Sequence, residues 1–156
     1  MTHRARKFLV VVDHTPECLK ALRFAVRRAQ YTYAQVQMLM IVAPELAADS
    51  LGINQALRQE VREQAEQRLL ALADEVRAYS GVTADWVIAI GMPHEELLRH
   101  IHHDSEISVV VLGASTDRAN PGPLVRQIAL SDIANLHLPV TIVPGGMSDA
   151  QIDAVS

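Results

Sequence analysis

The chain has 156 residues, 49% of them hydrophobic, with a formal net charge of −4 and one cysteine. That suits a single domain over 1–156, with a core at 7–144 and a tail at 145–156, and it excludes an internal disulfide and a non-specific nucleic-acid binder. Only five apolar residues separate Lys7 from Asp13, too few for a secretory core, and no run reaches membrane-spanning length, so the expectation is a cytoplasmic protein.

The first element is the apolar strand Phe8 to Val12, which ends abruptly in Asp13-His14-Thr15-Pro16. A helix follows, with Thr15 suited to cap it, Pro16 to its first position and Glu17 to its positive end. Cys18, Leu22, Ala25, Val26 and Ala29 form its buried stripe, and Lys20, Arg23, Arg27 and Arg28 face water. The second strand is Val36 to Val42, and Ala43 to Gly52 reads as a loop long enough to move. A long helix over Asn54 to Ala78 carries Leu57, Val61, Ala65, Leu69, Leu72 and Val76 at intervals of three or four.

The third strand, Trp86 to Ile90, turns through Gly91-Met92-Pro93 into a helix over His94 to His102. The fourth, Val109 to Leu112, runs into Gly113-Ala114-Ser115-Thr116 and a polar loop, Asp117 to Pro123. A last helix over Leu124 to Leu136 precedes the fifth strand, Val140 to Val143, which Pro139 and Pro144 bracket. The tail, Gly145 to Ser156, lacks a strong period and reads as mobile in part.

Short continuous apolar runs alternating with helices predict a five-stranded parallel, doubly wound α/β sheet with helices on both faces. Pattern alone leaves strand orders 2-1-3-4-5 and 3-2-1-4-5 open. In such sheets ligands collect beyond the carboxyl ends of the strands, where the winding reverses. If the first and fourth strands are neighbours there, Asp13 and the Gly113 loop face one crevice. Gly91-Met92-Pro93 and Pro144-Gly145-Gly146 stand where a phosphorelay receiver needs its Asp and Lys, which excludes that class. Neither Gly-x-x-x-x-Gly-Lys-Ser/Thr nor Gly-x-Gly-x-x-Gly after the first strand is present.

Four blocks in order carry a resemblance. They are Phe8 to Thr15; Ala21, Leu22, Ala25 and Ala29; Ile90 to Leu97; and Ile107 to Gly113 followed by Leu138 to Val143. Over Lys7 to Pro144 the chain resembles the universal stress protein (UspA) family, whose adenine nucleotide alpha hydrolase-like fold implies order 3-2-1-4-5. The resemblance implies ATP or AMP in the crevice, Asp13 on the ribose hydroxyls, the Ile41 backbone on adenine, and Gly113 opening a phosphate loop. It also implies a homodimer through the fifth strand. The family's loop reads Gly-x-x-Gly-x9-Gly-Ser/Thr; here Thr116, Arg126 and Gln127 stand at its last three places. A substitute phosphate cradle would use the Ser115 and Thr116 hydroxyls, the Gly122 N–H and the Arg126 guanidinium.

Each of these residues also has a purely structural role open to it. Asp13 can cap the first helix, Gly113 can make room for a close passage, and Arg126 can be a solvated helix residue. Cys18 lies on the buried stripe, which favours an inert thiol. His100, His102, His103 and Asp104 gather at a helix end, where solvation is the default and no metal site is expected. No nucleophile–base pair or metal cluster supports an enzyme, though slow ATP hydrolysis is compatible with the nucleotide-binding class. Two readings follow: an adenine-nucleotide-responsive stress-response binding module, or a nucleotide-independent dimeric interaction protein.

Overall fold

The computed structural model describes residues 6–43 and 55–156. Its strands are β1 (Lys7–Val12), β2 (Gln35–Val42), β3 (Ala84–Ile90), β4 (Ile107–Ala114) and β5 (Val140–Pro144). All pair in parallel, in the order β3-β2-β1-β4-β5. The 2-1-3-4-5 alternative is thereby removed. Winding runs outward from β1 through β2 to β3, then returns across the sheet to β4, so the reversal lies between β1 and β4.

The helices are α1 (Glu17–Thr32), α2 (Gln55–Ser80), α3 (Pro93–His103), α4 (Pro123–Gln127) and α5 (Asp149–Val155). Strand side chains alternate between two cores, as the period of two demands. Val10, Val12, Met38 and Val111 pack with Leu22 and Val26 of α1, Leu69 and Leu72 of α2, and Ile152 of α5. Leu9, Leu39, Val110 and Leu112 pack on the other face with Leu97 and Ile101 of α3 and Val125 of α4. Because both faces are covered, the strands read as continuous apolar runs. Each fully buried Leu or Val contributes about 1.5–3 kcal/mol.

Three local expectations are corrected. Pro16, not Thr15, is the N-cap residue of α1, and no side chain caps it. Thr15 instead donates both its N–H (2.8 Å) and its hydroxyl to Asp13 Oδ1, a side-chain-to-backbone turn that competes with capping. The helix expected over Leu124 to Leu136 loses α geometry after Gln127, passing through a π turn (Ile128–Asp132) and a 3-10 turn (Ile133–Asn135). Val125 and Ile128 anchor its start, but Leu130 and Ile133 stand exposed and bind nothing that would hold regular winding.

The tail is the third correction. Ser148 and Gln151 form a reciprocal capping box for α5, and Ile152 is fully buried. The expected mobile loop lies, beyond Ala43, outside the described residues.

At the amino ends of the strands, Gln37 is a buried polar residue on β2 and meets His100 Nε2 of α3 at 2.8 Å. Burial holds the His100 imidazole below its ordinary value, against the opposing charge of Asp104. Lys7 donates to Asp104 at 2.7 Å. A depression of about 420 Å³ beside this pair is lined by residues 104–108 and 137–139 and by Arg6. It lies at the wrong end of the strands for the switch-point rule.

Candidate functional site

Strands β1 and β4 both end in small or polar residues, and the space between those ends is a cavity of about 150 Å³. Asp13, Thr15, Ile41, Gly113 and Gly122 line it, with Leu112, Pro93, Leu124 and Val125 as its apolar walls. Four of the residues singled out in the sequence, Asp13, Ile41, Gly113 and Gly122, are thus brought together. Ser115, Thr116 and Arg126 are not among the lining residues. Arg126 is exposed and lines a separate depression with Asn120, Gln127 and Leu130.

Asp13 is aimed by its own turn. Both Thr15 donors fall on Oδ1, and the Asp13 side chain is exposed at the crevice. An exposed carboxylate held in place this way suits a pair of vicinal hydroxyls.

Gly113 is set by packing. A β-carbon there would lie 2.6 Å from the Glu17 carbonyl carbon and 3.1 Å from the Cys18 nitrogen, inside ordinary contact. Glycine lets the end of β4 slide under the first turn of α1, and this brings the positive end of α1 to the crevice. Cys18 beneath it is buried, and burial pushes its thiol up to about 11, the behaviour of an inert core cysteine.

The loop after β4 spends its donors on itself. Ser115 N–H donates to the Pro121 carbonyl (2.9 Å), Asp117 N–H to Ser115 Oγ (3.1 Å), and Ala119 N–H to Asp117 Oδ1 (2.9 Å). Gly122 N–H donates to Asn120 Oδ1 at 3.2 Å. The last three are short side-chain turns, legible in Ser-x-Asp and Asn-Pro-Gly. A phosphate cradle needs free N–H groups, and these four are occupied. The cavity lining also carries Glu17 beside Asp13, with no lysine or arginine among the described residues. The described residues hold no group of three or more His, Cys, Asp or Glu placed to bind a metal ion. None of their helices is long and apolar enough to cross a membrane.

Comparison with known proteins agrees with this fold. The chain superimposes on the universal stress protein UspA from Lactobacillus plantarum with a TM-score of 0.71 at 19% identity, covering 91% of this chain and 99% of that one. The universal stress protein from Archaeoglobus fulgidus in complex with dAMP gives 0.63 at 14% identity, covering 90% and 99%. An Arabidopsis thaliana family member with AMP bound gives 0.57 at 12% identity, covering 89% and 91%. No curated protein sequence matches. The family model for the universal stress proteins spans residues 4–144, which takes in all five strands and the crevice between β1 and β4. The chain belongs to the universal stress protein family.

Proposed function

We propose that this protein is a non-enzymatic stress-response module of the cytoplasm whose crevice binds an adenosine-bearing ligand with few phosphates, AMP in preference to ATP. The observation that carries this is the exposed Asp13 carboxylate at the β1/β4 reversal, aimed by Thr15, beside a loop in which the amides of Ser115, Asp117, Ala119 and Gly122 are already bonded internally. Asp13 would accept the ribose hydroxyls, and Ile41 and Leu112 would contact the base. The amino end of α1 would favour one phosphate. Further phosphates would meet Asp13 and Glu17 with no basic side chain from the lining to offset them. The complexes with AMP and dAMP seen in related folds are consistent with this ligand class.

The test is calorimetric titration of AMP into the parent and Asp13→Asn proteins. Loss of a hydrogen bond to a charged group should weaken AMP by about 1.5–3 kcal/mol. Equal affinity in the two proteins would remove Asp13 from the site.

A second feature favours self-association through β5. It is an edge strand, Ile142 is 43% exposed, and the nearby segment adds exposed Leu130 and Ile133. Two β5 strands pairing about a twofold axis would close the assembly as a homodimer.

A further inference from the structure

Helix α5 lies beyond the residues that the family model matches, yet it is tied closely into the structure. Asp153 accepts a two-pronged contact from Arg23, Nε to Oδ1 at 2.8 Å and Nη2 to Oδ2 at 2.7 Å. Arg27 Nε adds a third bond to Asp153 at 3.1 Å, and Lys20 reaches Asp149 at 3.1 Å. The Arg23 and Arg27 guanidinium groups in turn lie over the Tyr79 ring of α2, at 5.0 and 5.2 Å from its centroid. A seven-residue helix is not stable alone, so its order comes from these contacts and from Ile152.

Only Gly145 to Ser148 join β5 to α5, and this link lies on the crevice loop. Gly145 N–H donates to the carbonyl of Ala114, the last residue of β4, at 2.8 Å. A β-carbon at 145 would lie 2.7 Å from that carbonyl oxygen and 3.0 Å from Glu17 Cβ, so the approach is closed to any larger residue. One at 146 would sit 3.6 Å from the Thr116 methyl group. Residues 114–116 are therefore held between the first turn of α1 and a link whose far end is pinned to α1 by charge.

We infer that α5 is a clasp that sets the conformation of the Ala114–Asp117 segment, which leads out of the crevice from Gly113. Opening it frees Gly145, leaves the Ala114 carbonyl without its donor, and lets the loop exchange its internal bonds for water. Docked, it keeps the loop closed on itself. The ion pairs are part-exposed, so the clasp weakens as ionic strength rises.

Amide hydrogen exchange on the ligand-free protein tests this without reference to the crevice ligand. In Asp149→Asn/Asp153→Asn, the amides of Ser115 and Asp117 should exchange about ten-fold faster, together with those of Ile152 and Ser156, while β2 and β3 keep parent rates. Raising salt should move the parent toward the variant. Faster exchange at Ile152 and Ser156 with parent rates at Ser115 and Asp117 would show a tail independent of the loop and overturn the inference. So would an equal rise across the whole sheet, which would reduce α5 to general stability.

Discussion

Gly113→Ala probes the crossing of β4 under α1, the contact that forms the crevice floor. The added methyl would meet the Glu17 carbonyl oxygen first and start 2.6 Å from its carbon, against about 3.4 Å for ordinary contact, so at least about 0.8 Å of movement is required. The obstacle is backbone on both sides, the end of a central strand and the first turn of a sixteen-residue helix, and neither can rotate away. Overpacking of this kind costs about 1–3 kcal/mol. For a chain of this length each kcal/mol moves Tm by about 2–4 °C, so a fall of about 2–12 °C is expected. Urea unfolding at 25 °C, with the slope checked for constancy, gives the free energy directly. Gly146→Ala is the control, because a β-carbon there would meet only the Thr116 methyl group, at the ordinary contact distance of 3.6 Å. Parent stability for Gly113→Ala would refute the packing role and return this glycine to the phosphate loop alone.

His100 gives a pH dependence with a definite sign. Its folded-state pKa is held below the ordinary 6.5 by burial, so its contribution is fully present above pH 6.5 and is lost as pH falls through the folded value. His100→Gln should flatten the stability profile below pH 6.5, and His100→Ala should cost about 1–3 kcal/mol by orphaning Gln37 Oε1; an unchanged pH profile in the Gln variant would contradict this. Pro139 and Gly145 both bond to β4, so the odd-numbered residues of β5 face inward and Ile142 faces out; Ile142→Pro removes an outward-facing amide and places a ring in the free edge. Light scattering after size exclusion should show a dimer for the parent and mostly monomer for the variant; a monomeric parent at high micromolar concentration would count against pairing through β5.

The sheet was legible because its strands, covered on both faces, carry uninterrupted apolar runs, and α1 and α2 carry clean apolar stripes. Strand order was not, since β1 neighbours β2 in both candidate orders; the family resemblance supplied it. Asp13 and Gly113 were placed at the crevice by their position at strand ends and Ile41 by the family resemblance, and all three line it. Arg126 followed from counting along the family loop, a count that carries no information about which side of a short, irregular helix it occupies. The loop's internal bonding was hidden for a different reason. Ser115, Asp117 and Asn120 read equally well as ligand groups and as turn formers, and only coordinates show that their donors and acceptors are spent locally. Ser148 and Gln151 have the spacing of a capping box, a signal left unread in the tail, whose seven-residue helix is too short to show a period.

The most direct test of the proposed site is the order of affinities for adenosine, AMP and ATP, measured by calorimetry on the parent protein without magnesium. A crevice that holds ribose through Asp13 and one phosphate at the amino end of α1 should bind AMP more tightly than adenosine, and ATP at least about ten-fold more weakly than AMP, a difference of about 1.4 kcal/mol. ATP binding more tightly than AMP would contradict it and mean that the loop opens its amides to phosphate. No binding of any of the three at millimolar concentration would leave the nucleotide-independent dimer as the reading.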